Sequence, residues 1–203
     1  IAMLKDMGIK TAQCGTFNGL PAGSIMKPVL ILYRITADQK YLKFAQEIAD
    51  DWEREDGKIP NIISNALTGK PVHTWYENPR QWAKAYEMMS CFEGLLRYYY
   101  ITGIEKYKTA LLNFGRNIIE NELSMIGCSG CTHELFDHTA VRQTQTDYDD
   151  VVQETCVTVT WMKFCSHLLS LTGDSFFADE IEKAAYNAMF GSVNYYERPE
   201  NCG

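Results

Sequence analysis

The densest group of potentially reactive side chains lies between residues 128 and 156. Thiols, imidazoles and carboxylates bind zinc and transfer protons in active sites, and this stretch contains all three. The group consists of Cys128, Cys131, His133, Glu134, Asp137, His138, Glu154 and Cys156. Because convergent polar groups in a cavity are the default candidate for a binding or active site, we expect the chemistry of this chain to lie here.

Glu154 and Cys156 form the most specific pair in this group. Side chains two residues apart point the same way from an extended backbone but diverge from a helix. The threonines and valines of residues 155–160 favour an extended lead-in to the next helix, so the carboxylate and the thiolate would form half of a tetrahedral zinc site. A helix start also favours a thiolate. The alternative is a buried cysteine beside a glutamate that simply begins a helix.

Glu134 is a candidate general acid. It lies in Thr132-His133-Glu134-Leu135-Phe136, where apolar neighbours would favour the protonated carboxyl that this chemistry needs. The alternative is a surface glutamate in a polar loop.

The remaining histidines and cysteines of this region point to a site more weakly. Cys128-x-x-Cys131 with His133 nearby resembles half of a metal site, but packed thiols explain a single pair of this kind at least as well. We expect His138 and His167 to be structural.

Aromatic side chains are concentrated at Trp75-Tyr76, Trp82 and Tyr98-Tyr99-Tyr100. Sugar rings stack on such side chains, although aromatic residues at helical spacing belong more often to a core.

The elements that must position these groups follow a pattern that occurs three times. In each copy an apolar stretch ends in a threonine turn, and an aromatic residue then opens a second amphipathic stretch. The copies are Leu32–Asp38 with Tyr41, Tyr99–Gly103 with Tyr107, and Leu169–Asp174 with Phe177. Each copy predicts two helices joined by a tight turn. Such hairpins bury their apolar faces only by stacking into a solenoid or closing into a ring.

Helical spacing of apolar residues predicts the bounds of these elements. Helices are expected over 39–54, 82–100, 104–122, 155–171 and 175–191, and loops over 55–80 and 126–152. Pro21 should open an earlier helix, and Pro28 should kink it. No alternating segment is long enough for a convincing strand, so the chain is predicted to be all-α. The commonest helical ring uses six hairpins, and three correspond to about half of it.

Composition limits the classes of function. The chain has 203 residues, 46% of them hydrophobic, and a net charge of −7, which fits a single domain over residues 1–203. An acidic chain without a run of lysines and arginines is a poor nucleic-acid binder, and no apolar run is long enough to span a membrane. The chain begins at Ile1 without a signal peptide, so we expect its natural N-terminus to lie upstream, and either a cytoplasmic or an exported protein is compatible with it.

The seven cysteines are odd in number and unevenly spaced. This favours free thiols and a metal site over a disulfide framework. Cys91 and Cys165 are expected to pack in the core.

Several of these segments together resemble one family of enzymes. Gln153–Trp161, followed by Leu171–Asp174 and Tyr186–Ala188, resembles the β-L-arabinofuranosidase-like glycoside hydrolases of family 127. Upstream, Lys10–Ala22 and Lys84–Met88 are similar to a subgroup of that family, so the resemblance extends over most of the chain. It implies a carbohydrate substrate and an (α/α)6 barrel of which this chain is a part.

The resemblance also implies a chemistry. Family members hydrolyse glycosides with retention and use a cysteine nucleophile held on zinc. By resemblance, Glu154 and Cys156 are the first two zinc ligands, and two adjacent cysteines further along complete the set. Glu134, in its Glu-x-Phe context, corresponds to the general acid/base. The residues expected to line the cavity and bind substrate are Lys84, Tyr86 and Glu87.

The sequence departs from the family pattern in three places, one of which is the 20-residue spacing from Glu134 to Glu154, longer than the family pattern leads us to expect. After Cys165 only Cys202 follows. Either the adjacent cysteine pair lies beyond this chain, which we expect, or this branch of the family has lost it. Lys84, and Ser24 or Ala22, stand where well-known members have sugar-binding histidines, a difference that bears on which sugar is accepted.

Two other functions are compatible with the same pattern. A non-catalytic helical toroid that binds carbohydrate or a protein partner would need neither zinc nor the cysteine pair. A lyase or epimerase on the same barrel would use a tyrosine or histidine base without a metal. The zinc content of the protein distinguishes these from the hydrolase.

Overall fold

The computed structural model describes residues 3, 6–11, 14–54, 59–78, 83–130, 132–144 and 152–193. Its helices are α1 (Leu20–Gly23), α2 (Met26–Thr36), α3 (Gln39–Asp51), α4 (Ile62–Leu67), α5 (Ala85–Thr102), α6 (Glu105–Asn121), α7 (Thr139–Arg142), α8 (Thr155–Thr172) and α9 (Phe176–Lys183). Phe17–Gly19 and Val72–Thr74 are 3-10 turns, and the π-helical segment Ala184–Met189 continues α9. Within these ranges β-pairing is limited to isolated bridges, so the all-α prediction is confirmed.

Three helical hairpins, α2–α3, α5–α6 and α8–α9, form the body of the structure. At each connection the first helix ends on a residue in the left-handed conformation, Ala37 (φ 55°), Gly103 (φ 67°) or Gly173 (φ 70°), whose N–H donates to the carbonyl four residues earlier. The threonine just before it donates its hydroxyl hydrogen bond to the carbonyl four residues back, at 2.8 Å in all three hairpins. The sequence repeat therefore corresponds to one type of helix C-cap used three times.

The first helices of the hairpins form one layer, because α5 packs against both α2 and α8. Each second helix packs against the first helix of its own hairpin. At the centre of this packing the rings of Phe92 and Phe114 stack with centroids 3.8 Å apart, and Phe164 and Phe136 meet Phe114 edge-on. All four rings are fully buried. Phe136 thereby fastens the loop that follows α6 to the core.

The predicted core cysteines, Cys91 and Cys165, are fully buried. Trp75 and Tyr98 are also buried, so these aromatic side chains belong to the core rather than to a sugar platform. Trp82 lies outside the described residues.

One buried carboxylate links the three helices of the first layer. Glu93 of α5 is 2% exposed and forms ion pairs with Lys27 of α2 and, at 3.0 Å, with Lys163 of α8. A carboxylate removed from water needs such partners to remain charged, so the pairing fixes the spacing of α2, α5 and α8.

The structure corrects two predictions about local elements. Pro28 does not kink a helix, because the chain turns just before it and Pro28 falls in the first turn of α2, where its missing N–H would have no partner within the helix. The connection over 55–80 contains α4, whose first N–H groups at Ile63 and Ser64 donate to the carboxylate of Glu53 at 2.8 and 3.0 Å.

No described helix combines the length and the apolar character required to cross a membrane.

Candidate active site

The candidate site lies where the N-terminal ends of α5 and α8 meet the loop that follows α6. Lys84 and Leu135 form an antiparallel β-bridge. The N–H of Ala85 donates to the carbonyl of Glu134 at 2.7 Å, and the N–H of Phe136 donates to the carbonyl of Ala83 at 2.8 Å. These bonds hold Glu134 beside the start of α5.

A second anchor of the same loop is the buried carboxylate of Glu122. It accepts hydrogen bonds from Nδ1 of His73 at 2.9 Å, from the N–H of His138 at 3.0 Å and from the N–H of Thr139 at 3.1 Å. Burial raises the pKa of Glu122, while these hydrogen bonds act in the opposite direction. The His138 ring stacks on that of His73 with centroids 4.2 Å apart, which is the structural role expected for it.

The backbone that carries Glu134 has an uncommon conformation. Both His133 (φ 45°) and Glu134 (φ 58°) lie in the left-handed region, which residues with a side chain seldom adopt without support from their surroundings. The two anchors provide that support.

Three predicted site residues converge. Glu134, Glu154 and Cys156 each offer a ligand atom, and these atoms all lie within 4.8 Å of one another. The Cys156 thiol donates to Oε2 of Glu154 at 3.3 Å. Sulfur at about 2.3 Å and oxygen at about 2.1 Å from a tetrahedral zinc ion are separated by about 3.6 Å, so the types and spacing of these donors fit zinc.

The lead-in to α8 is shorter than the sequence predicts. Glu154 is extended (φ −79°, ψ 130°), but the helix begins at Thr155, so Cys156 lies in its first turn. The β-branched residues do not delay the helix. The hydroxyl of Thr160 donates to the Cys156 carbonyl at 2.9 Å, a bond that accommodates threonine within a helix.

The helix start alone does not favour the thiolate. Burial raises the pKa of Cys156, and the hydrogen bond and negative charge of Glu154, together with the charge of Glu134, act in the same direction. The N–H of Val157 acts the opposite way but is outweighed. The helix start therefore acts in the expected direction but is outweighed, and a bound cation would favour the deprotonated sulfur.

The surroundings of Glu134 are also more polar than predicted. Its carboxylate contacts Nζ of Lys84, and the Lys84 residue is only 9% exposed. Half-buried Glu87 follows one turn later. Burial raises the pKa of Glu87, and so do the nearby charges of Glu134 and Glu154. Tyr86, between them in the sequence, is 43% exposed.

The predicted CxxC half-site is only partly described. Cys128 is buried, and its sulfur lies 3.9 Å from the carbonyl oxygens of Ser129 and Glu154, as expected of a packed thiol. Cys131 lies outside the described residues, and His133 is exposed. His167 is half-buried on α8, where burial lowers its pKa.

Sequence reasoning missed Glu122 and the contact between Lys84 and Glu134. Glu122 follows the end of α6 without any motif around it, and its partners are up to 49 residues away. No local pattern in the sequence signals either contact.

Helical hairpins with a carboxylate–thiol cluster at the N-terminal ends of two adjacent helices define an all-α protein with a candidate metal-dependent active site. The sequence model of the β-L-arabinofuranosidase catalytic domain of glycoside hydrolase family 127 matches residues 10–198. The chain belongs to this family.

Solved structures share the fold. A family 127 β-arabinofuranosidase superposes with a TM-score of 0.56 at 20% identity, over 83% of this chain and 25% of its own. A family 127 β-L-arabinofuranosidase from Geobacillus stearothermophilus T6 gives 0.57 at 16% identity, over 87% and 32%. A protein described as a glycoside hydrolase gives 0.60 at 17% identity, over 95% and 32%. The chain thus spans a quarter to a third of these proteins. No curated protein sequence matches it.

Proposed function

We propose that this chain is part of the catalytic (α/α)6 barrel of a retaining glycoside hydrolase that removes L-arabinofuranosyl or related side chains from polysaccharides or glycoproteins. Residues 1–203 would belong to one domain, with the three hairpins forming about half of the ring. The family match over residues 10–198 supports the class of enzyme. The observation that carries the proposal is the convergence of Glu134, Glu154 and Cys156 within 4.8 Å.

Glu154 and Cys156 would hold a zinc ion, and an adjacent pair of cysteines elsewhere in the protein would complete the ligand set. The bound ion would supply the positive charge that keeps its sulfur ligands deprotonated at neutral pH. Burial and the neighbouring carboxylates raise the pKa of Cys156, and such a charge would act against that shift.

Glu134 would move the proton. In the first step its carboxyl gives a proton to the glycosidic oxygen as that C–O bond breaks, and a cysteine sulfur of the completed site bonds to the anomeric carbon. In the second step Glu134 takes a proton from water, the water oxygen replaces the sulfur, and the thiolate is restored. Two inversions at the same carbon give net retention.

The first test is the zinc content of the whole protein that contains this chain. We expect one zinc per protein, lost in Cys156→Ala and retained in Cys14→Ala. Cys14 is a matched control, because its half-buried thiol bonds to the Lys10 carbonyl at 3.3 Å and is not one of the three converging donors. A wild-type protein without zinc would overturn the metal site and favour a binding toroid or a metal-independent lyase.

The second test separates an acid from a ligand. Glu134→Gln should reduce hydrolysis of a β-L-arabinofuranoside by about 100-fold or more and should leave the zinc content unchanged. Loss of zinc in this variant would show that Glu134 is a ligand, and unchanged hydrolysis would remove it from the reaction.

A further inference from the structure

Lys84 is an unusual neighbour for a candidate proton donor. Lysine side chains are seldom withdrawn from water unless they are paired, yet Lys84 is 9% exposed. Its ammonium contacts the carboxylate of Glu134, lies 3.4 Å from the carbonyl oxygen of His133 and stands 4.9 Å from the centre of the Phe17 ring. Every one of these contacts favours a positive charge at this place.

The backbone fixes the two partners relative to each other. The β-bridge between Lys84 and Leu135, with its hydrogen bonds on either side, joins the residue before α5 to the residue after Glu134. The ion pair therefore connects two segments that the backbone already holds together, so the entropy cost that remains is that of ordering the two side chains.

The rest of the cluster repels the Glu134 carboxylate. The negative charges of Glu134 and Glu154 both act on Glu87, whose Oε2 is buried without a hydrogen-bond partner among the described residues. The Cys156 thiol donates its hydrogen to Glu154 at 3.3 Å, so it offers Glu134 no positive charge. Like charges at this distance favour arrangements that separate them, so Glu134 needs a cation to remain in the cluster.

We propose that Lys84 is a positioning residue for Glu134, and that its ammonium holds the Glu134 carboxylate toward Glu154 and Cys156. This rests on the proposed function of Glu134 as the acid/base. Lys84 would then act on the Glu134 carboxyl rather than on the sugar. Proton transfer depends on the placement of the acid, so a displaced Glu134 would lower the rate of the reaction.

The activity test uses two substrates of the whole protein. An aryl β-L-arabinofuranoside has a good leaving group and needs little help from an acid, whereas an alkyl β-L-arabinofuranoside needs the proton. We expect Lys84→Met to lower kcat about tenfold or more for the alkyl substrate and much less for the aryl one, with KM nearly unchanged. Lys84→Arg should recover part of the loss.

Two controls make this outcome specific. Lys183→Met removes another lysine from an ion pair, with Glu180 at 2.7 Å, and should leave both substrates unaffected. In a Glu134→Gln background, Lys84→Met should add little further loss, since the two changes act through one group. An equal loss for both substrates together with a raised KM would show that Lys84 binds the sugar and would overturn the proposal.

A measurement without substrate separates this proposal from the proposed function. Burial and hydrogen bonding slow proton exchange with water, so the Lys84 ammonium should give a distinct 15N signal in a lysine-labelled protein, unlike exposed Lys40. The signal should shift or vanish in Glu134→Gln. If the protein is inactive but the signal depends on Glu134, the ion pair is confirmed and the proposed hydrolase function is overturned. If the signal is the same in the wild type and in Glu134→Gln, the positioning role of Lys84 is overturned.

Discussion

At the scale of single residues, the surroundings of His138 disfavour its protonated form. Burial lowers the pKa of His138, and the neighbouring His73 and Arg142 act in the same direction, while Asp137 opposes them. The backbone of His138 is also in the left-handed conformation (φ 71°), at the position just before α7. The His138 ring stacks on that of His73. A neutral ring favours this contact, which helps to hold the loop that carries Glu134.

This arrangement predicts a dependence of stability on pH. The unfolded chain takes up a proton on this histidine near pH 6.5, whereas the folded protein does so only at lower pH. Its contribution to stability is thus complete above about pH 6.5 and is lost as the pH falls toward the lowered pKa. Urea denaturation between pH 5 and 8 should show this loss in the wild type and less of it in His138→Asn, since asparagine tolerates the left-handed conformation.

The matched control for that experiment is His133→Asn. His133 lies in the same loop with a left-handed backbone (φ 45°), but its side chain is exposed. A pH dependence that decreases equally in both variants would contradict the assignment to His138.

The parts of the candidate site that the sequence predicts are those whose residues lie close together along the chain. Glu154 and Cys156 are close in sequence, so their spacing and the family resemblance together identify them from the sequence alone. The approach of Lys84 to Glu134 depends instead on a bridge between segments about fifty residues apart. The carboxylate network of Glu122 is equally non-local, and hydrophobic periodicity carries no information about either.

At the scale of helices, the first hairpin has a less suitable cap than the other two. Ala37 occupies the left-handed position that Gly103 and Gly173 occupy in the later copies. The Cβ atom of an L-residue makes this conformation unfavourable by about 1 kcal/mol relative to glycine. Ala37→Gly should therefore raise the free energy of unfolding by about 1 kcal/mol.

The reverse substitution tests the same reasoning. Gly103→Ala should lower the free energy of unfolding by a similar amount, because a Cβ built at Gly103 meets no neighbouring atom and adds only backbone strain. Urea denaturation of both variants checks the pair, and a destabilised Ala37→Gly protein would show that chain entropy outweighs strain at this turn.

The bounds of the paired helices were predictable because their signals are local. The predicted ranges 104–122 and 155–171 lie close to the observed Glu105–Asn121 and Thr155–Thr172. The π-helical segment was not predicted. It lies against Gly127, where an added Cβ would approach the backbone of Ala184 to 2.9 Å, a packing constraint that the sequence of the segment does not express.

At the scale of the whole molecule, the layer of first helices is joined by a charge as well as by apolar packing. Glu93 lies almost fully buried between Lys27 and Lys163, whose side chains are 26% and 49% exposed. The family barrel that we propose would place this layer around the central hollow, so the spacing of α2, α5 and α8 would also determine where Cys156 faces Glu134.

Removing the central carboxylate should therefore destabilise the fold more than removing either lysine. Glu93→Gln leaves two ammonium groups facing each other and should lower the free energy of unfolding by about 2 kcal/mol, less than for a fully buried pair because both lysines reach water. Lys163→Met leaves Glu93 paired with Lys27 and should lower it by less than about 1 kcal/mol. The combined change Lys27→Met, Glu93→Leu, Lys163→Met should recover most of the loss, since it removes the buried charge with its partners. Denaturant titration gives all three values, and a Glu93→Gln protein as stable as the wild type would show that α2, α5 and α8 are held together by apolar packing alone.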